Sequence, residues 1–245
     1  MRVFVVIVVI VVIVVRLRRH VQGWVRGGWW NLPAGPGDAH DDTMSTMARM
    51  IGAEVRRAVF LDLNGTLVLP LQVNDPIEYQ AIPHAAEAVA RLCRAGFICP
   101  VVTVQSRIGK GIFSESAFLT WFRSFSDAFA RQGAPLVGPY VCPHRYAVPC
   151  PCKKPGGMLY RGAAEDLDLD LASSLVVGDS LEDMQAAREV GSRGVAVRTG
   201  WRLSPAVEQL CDHVADNLFS ATDWILGPDK ALSSTAHEPI VNGLG

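Results

Sequence analysis

Between Arg57 and Arg198 short apolar runs, rich in β-branched residues, alternate with longer stretches whose apolar positions recur every three or four residues. The runs "AVFLD" (58–62), "ICPVVT" (98–103), "VGPYVC" (137–142), "SLVVGD" (174–179) and "GVAVR" (194–198) predict strands. The stretches "PHAAEAVARLCRAG" (83–96), "SESAFLTWFRSFSDAFARQG" (114–133), "GMLYRGAAEDL" (157–167) and "LEDMQAAREVG" (181–191) predict helices. In the second helix Phe118, Phe122, Phe125 and Phe129 form one apolar stripe, read as core packing, and Phe113 is placed to staple onto Phe118. Strands this apolar need cover on both faces, so the alternation predicts an α/β fold. The expected architecture is a Rossmann-like three-layer parallel sheet with ligands at the carboxyl ends of its strands.

Outside that region the pattern stops. Residues 1–50 are expected to be an extension outside the fold, residues 51–227 one domain, and residues 228–245 a flexible tail. The extension begins with an apolar run, Val3 to Val15, followed by "RLRRH". As a helix this run would reach about 20 Å, short of a hydrocarbon core of roughly 30 Å. It has no small-residue cleavage site of the secretory kind. Membrane association is therefore expected only through residues 3–15, and the protein is expected to be cytoplasmic and monomeric.

Composition narrows the partners. With 49% hydrophobic residues and a net charge of −1, the chain can bury a full core and offers no electrostatic case for nucleic acid. A small metabolite is the expected partner.

The unusual polar residues fall at the ends of the predicted strands. Asp62 ends the first, Thr103 ends the second and Asp179 ends the fourth. An aspartate so placed can attack phosphorus and form an aspartyl-phosphate that water then hydrolyses. Asp62 and Asp179 together suit Mg²⁺, Lys154 adds positive charge, and the Thr103 hydroxyl can donate to a phosphoryl oxygen. Gly65 would let backbone amides approach that phosphate. Each residue also has a plain structural explanation: Ser180-Leu-Glu-Asp183 reads as a capping box, and Asn64-Gly65 as a turn. The ordered set Asp62-x-Asn64-Gly65-Thr66, Thr103, Lys154 and Gly178-Asp179-x-x-x-Asp183 is what singles the chain out.

On these four motifs the chain resembles the haloacid dehalogenase (HAD) superfamily, subfamily IIIA, over about residues 57–200. The stretch "YVCPHRYAVPCPCKKPGGM" is similar to the zinc loop of the D-glycero-D-manno-heptose 1,7-bisphosphate phosphatases and the related histidinol-phosphate phosphatases. The resemblance implies a Mg²⁺-dependent phosphomonoesterase acting through an aspartyl-phosphate, with Asp62, Asn64, Thr103 and Lys154 in the catalytic set. It implies Mg²⁺ ligation by Asp62, the Asn64 carbonyl, Asp179 and Asp183, and substrate contacts from Gly65, Thr66, Gln105, Ser106, Lys110 and Lys153. The interval from Gly65 to the second strand is too short for a separate domain, so only a minimal cap is expected.

Cys142, His144, Cys150 and Cys152 are spaced as a closed tetrahedral Zn²⁺ site, the rival reading being a disulfide. Cys93, Cys99 and Cys211 are expected to be scattered in apolar surroundings.

The departures from the family concern chemistry. Asn64 stands where the family has the aspartate that protonates the leaving group, and an amide cannot shuttle that proton. Val104, Arg107, Lys110, Lys153 and Ser180 also replace family residues. Two functions follow as expectations: a phosphatase slowed by Asn64, because general acid–base catalysis contributes roughly 10²–10⁴-fold, or an impaired relative that binds a phosphorylated ligand.

Overall fold

The computed structural model describes residues 56–227. The apolar run at 3–15, the linker before the domain and the tail from 228 lie outside the described residues. Six strands form one parallel sheet: β1 (Val59–Leu61), β4 (Pro100–Val104), β5 (Val137–Cys142), β6 (Leu175–Gly178), β7 (Arg193–Val197) and β8 (His213–Ala215). Their order across the sheet is β5-β4-β1-β6-β7-β8. Two short strands, β2 (Val68–Leu69) and β3 (Gln80–Ala81), pair antiparallel beside it. The helices are α1 (Ala85–Arg94), α2 (Ser106–Gly109), α3 (Glu115–Ala130), α4 (Met158–Leu167), α5 (Leu181–Glu189), α6 (Pro205–Leu210) and α7 (Leu218–Leu226).

The alternation of side chains along β1 shows why the sheet needs two covers. Val59 and Leu61 point into one core with residues of α1, α3 and α7, whereas Ala58 and Phe60 point into another with Tyr160 and Ala163 of α4 and Ala186 and Ala187 of α5. All four of these residues have zero exposure. The expected three-layer α/β architecture is the one observed.

Local details follow the sequence closely. Ser114 caps α3 by accepting from the Ala117 amide, and the Phe113 and Phe118 rings stack with centroids 6.5 Å apart. Phe118, Phe122 and Phe129 are buried, while Phe125 is partly buried between Trp121 and Phe129. Ser180 and Asp183 form the reciprocal capping box of α5. The segment between β1 and α1 holds only the small hairpin and one 3-10 turn, Pro76–Glu78, as expected of a minimal cap. Strand β8 and helices α6 and α7 extend the fold beyond the predicted elements.

Because every strand of the large sheet is parallel, their carboxyl ends share one edge. That edge receives Asp62 from β1, Thr103 and Gln105 from β4, and Asp179 from β6.

Candidate active site

A cleft of about 480 Å³ opens at this edge. Its acidic end is built from Asp62, Asp179 and Asp183, whose carboxylate oxygens lie within 4.8 Å of one another and whose residues are all buried. Lys154, itself 6% exposed, donates to Asp62 Oδ1 and to Asp183 Oδ1, both at 2.6 Å. One buried cation thus faces three buried acids. Burial, partly offset by Lys154 and reinforced by Asp183, pushes the Asp62 carboxyl up to about 6. Burial and the charges of Asp62 and Asp183 push Asp179 up to about 8. Burial by itself would lower the Lys154 ammonium, but Asp183 and Asp62 outweigh it and hold that group well above its usual value. An all-oxygen donor set with uncompensated negative charge fits a hard divalent cation.

Two glycines make the close approach possible. Gly65 has φ of +90°, and a Cβ there would stand 2.4 Å from Asp179 Oδ2. At Gly200 a Cβ would stand 1.7 Å from the same oxygen. The next residue, Trp201, donates its backbone N–H to Asp179 Oδ2 at 2.8 Å, so the turn after β7 holds this carboxylate in place.

Asn64 sits in a directed hydrogen-bond chain. The Tyr79 hydroxyl donates to Gln105 Oε1 at 3.4 Å, and Gln105 Nε2 donates to Asn64 Oδ1 at 2.7 Å and to Thr103 Oγ1 at 2.9 Å. Asn64 Nδ2 then donates to the Leu71 carbonyl at 3.3 Å. Gln105 and Asn64 thus have both amide ends, oxygen and nitrogen, engaged.

The other expected site residues divide. Asp62, Asn64, Gln105, Ser106, Lys110, Lys153, Lys154, Asp179 and Asp183 line the cleft. Thr103 and Thr66 are fully buried and lie outside its lining, and Gly65 shapes it from behind. Lys153 lines the cleft, but its ammonium donates to the carbonyls of Arg145, Tyr146 and Val148, which makes it a brace for the loop. Ser180 serves the α5 cap and donates its hydroxyl to Asp183 Oδ2.

The lining residues outside the expected set include Tyr79, Tyr146, Glu182, Trp201 and Arg202. Apart from Glu182 they belong to turns, where no periodic signal marks them. Tyr79 is buried at the base of the cleft, whereas Tyr146, Trp201 and Arg202, with Arg107, Lys110 and the single acid Glu182, line its outer part. The Tyr146 hydroxyl donates to Glu182 Oε1 at 2.7 Å and ties the loop after β5 to the start of α5 across the cleft.

That loop carries Cys142, His144, Cys150 and Cys152 with their ligand atoms gathered together. The Cys142–Cys150 Sγ distance is 3.8 Å and Cys142 Sγ to His144 Nδ1 is 3.7 Å. Metal–ligand bonds of about 2.0–2.3 Å set tetrahedral edges of roughly 3.5–3.8 Å, which these two separations match, whereas Cys150 and Cys152 stand closer to His144 Nδ1, at 3.0 and 3.3 Å. The Cys150 and Cys152 Sγ atoms are 2.8 Å apart, yet all four residues remain free thiols or imidazole with no disulfide among them.

The comparisons with known proteins agree with this geometry. A HAD-hydrolase-like family model matches residues 151–221. A D-glycero-β-D-manno-heptose-1,7-bisphosphate 7-phosphatase from Vibrio cholerae serotype O1 is 35% identical over 182 residues, 71% of this chain and 98% of that protein. The crystal structure of D,D-heptose 1,7-bisphosphate phosphatase from B. bronchiseptica, complexed with magnesium and phosphate, superposes with a TM-score of 0.62 at 28% identity. It covers 69% of this chain and 98% of its own. A HAD-like phosphatase structure from Mesorhizobium loti gives 0.57 at 29% identity, covering 70% of this chain and 88% of its own. The chain belongs to the HAD superfamily, in the family of phosphoric monoester hydrolases that contains the heptose bisphosphate phosphatases.

Proposed function

We propose that the protein hydrolyses one phosphate of a small sugar bisphosphate of the heptose type, with Mg²⁺ at the acidic end of the cleft. The observation that carries this reading is the polarity of that cleft. Three buried carboxylates and Lys154 stand at its base, and Arg107, Lys110 and Arg202 stand along its rim. One phosphate fits the base, and a second anionic group fits the rim. A histidinol phosphate carries only one phosphate and uses the rim less well.

Asp62, Asp179, Asp183 and the Asn64 carbonyl would hold Mg²⁺, which supplies neutralisation of phosphoryl charge when bound. Asp62 attacks phosphorus, the bond to the sugar oxygen breaks, and an aspartyl-phosphate forms on Asp62. Lys154 holds the Asp62 carboxyl in position and offsets the charge gathered there. Water then attacks phosphorus, the bond to Asp62 breaks, and phosphate leaves. Asn64 donates a hydrogen bond but no proton, so the leaving oxygen takes its proton from water. Both steps run more slowly than with an acid–base group at that position.

Cys142, His144, Cys150 and Cys152 would hold Zn²⁺ in a closed site with no open position for chemistry. Its contribution is order: it would fix the loop that carries Tyr146, Lys153 and Lys154. Free thiols in this cluster suit a reducing compartment such as the cytoplasm. Among the described residues no helix is long and apolar enough to cross a membrane.

The test is phosphate release from a heptose bisphosphate, its monophosphate and histidinol phosphate, with Mg²⁺ or with chelator. The bisphosphate should be turned over best, only with Mg²⁺, and not by Asp62→Asn. Activity retained in Asp62→Asn, or equal rates on all three substrates, would refute the reading.

A further inference from the structure

Cys93 and Cys99 are not scattered. The Sγ atoms lie 3.8 Å apart at the end of the sheet away from the cleft. The backbone brings them together. Helix α1 closes through the Gly96 turn at φ of +86°, with the Phe97 amide donating to the Leu92 carbonyl and the Gly96 amide to the Cys93 carbonyl, both within 3.1 Å. This Schellman-type closure reverses the chain, and Cys99 returns beside Cys93 just before β4 begins. The returning segment is itself fixed, since the Cys99 carbonyl accepts from the Val137 amide at 3.0 Å.

The two thiols differ in surroundings. Cys99 is 1% exposed, whereas Cys93 is half-buried and its thiol contacts the Pro135 carbonyl at 3.7 Å. The contact with the Cys99 thiol and the positive charge of Arg94 outweigh partial burial and hold the Cys93 thiol below its ordinary value, while Cys99 is held well above its own. An accessible thiol that ionises readily, in contact with a buried partner thiol, has the arrangement of an attacking and a resolving cysteine.

We propose that Cys93 and Cys99 are a peroxide-sensitive dithiol that closes to a disulfide joining the end of α1 to the start of β4. The Cys93 thiolate attacks one oxygen of hydrogen peroxide, the O–O bond breaks, and Cys93 sulfenic acid and hydroxide result. The Cys99 sulfur then attacks the Cys93 sulfur, the S–O bond breaks, and its oxygen leaves as water with the Cys99 proton. Two thiols are oxidised and one peroxide is reduced. An external dithiol reverses the change. Cys99 and Thr103 are four strand positions apart, about 13 Å, so the link forms at a distance from the phosphate chemistry and does not depend on it.

Trypsin provides a direct reading because it cuts at Arg94, between the two cysteines. The full chain, with its metals bound, is treated with limiting hydrogen peroxide, blocked with an alkylating agent and digested without reductant. The expected product is the Cys93 peptide joined to the Cys99 peptide, appearing before Cys211 is modified and lost on treatment with dithiothreitol. In Cys99→Ala, Cys93 should instead be trapped by dimedone as the sulfenic acid, and in Cys93→Ala Cys99 should stay reduced. The proposal is overturned if Cys211 reacts while Cys93 and Cys99 stay reduced, or if Cys93 proceeds to sulfinic acid without the linked peptide.

Discussion

Gln105 Nε2 donates to Asn64 Oδ1 at 2.7 Å, and this bond fixes which end of the Asn64 amide faces which neighbour. The remaining amide end, Nδ2, is left to the Leu71 carbonyl, a group that can only accept. An aspartate in the same place would keep the Gln105 bond and set its second oxygen against that carbonyl. The charged form is thereby disfavoured and the protonated form can donate to Leu71.

Asn64→Asp should therefore introduce a carboxyl that stays protonated to higher pH than an ordinary aspartate, which suits a general acid. Turnover of a sugar phosphate is expected to rise by about 10²-fold or more. An aryl phosphate with a good leaving group should gain much less. Steady-state rates on both substrates check this, and equal gains on the two would contradict the assignment of position 64 to leaving-group protonation.

With Zn²⁺ held by Cys142, His144, Cys150 and Cys152 as proposed, its removal should loosen the loop after β5 while leaving the sheet intact. The Tyr146–Glu182 hydrogen bond and the Lys153 contacts to loop carbonyls would go with it. Metal analysis should find about one zinc per chain in the parent protein and little in Cys150→Ser. The variant should unfold at lower temperature and bind substrate more weakly, because Lys154 leaves the same loop to reach Asp62. A variant with normal zinc content would remove Cys150 from the ligand set.

The acidic end carries a definite pH signature when metal is absent. Asp62 at about 6 and Asp179 at about 8 both lie above the ordinary value of 3.8. The native state thus holds protons that the unfolded chain has already released, so this contribution to stability is full below pH 4 or so and falls as pH rises through roughly 6 and then 8. Chelator-treated protein should show a falling thermal midpoint across that range. Added Mg²⁺ should recover most at the alkaline end, where it binds deprotonated carboxylates. A metal-free midpoint that rises with pH would contradict the electrostatic account.

The strand-end residues were legible because apolar runs mark where parallel strands stop, and Asp62 and Asp179 stand one residue beyond β1 and β6. Cys142, His144, Cys150 and Cys152 were legible from spacing alone. The rim was not: Tyr146, Trp201 and Arg202 belong to turns whose course depends on tertiary packing. Lys153 shows the limit of charge as a signal, since the loop's own carbonyls take its ammonium. Strand β8 and helix α7 escaped notice because His213–Ala215 is too short to give a pattern and α7 is apolar around much of its surface. The Cys93–Cys99 pairing depends on the turn at Gly96, which spacing does not reveal.

The central claim is that Asp62 becomes phosphorylated and that Asn64 slows the step in which the sugar oxygen leaves. Acid quenching during turnover of a ³²P-labelled sugar bisphosphate with Mg²⁺ tests it most directly. Label should appear on the peptide containing Asp62, form faster in Asn64→Asp, and be absent from Asp62→Asn. Phosphate release with no label on that peptide, or label that persists in Asp62→Asn, would contradict it.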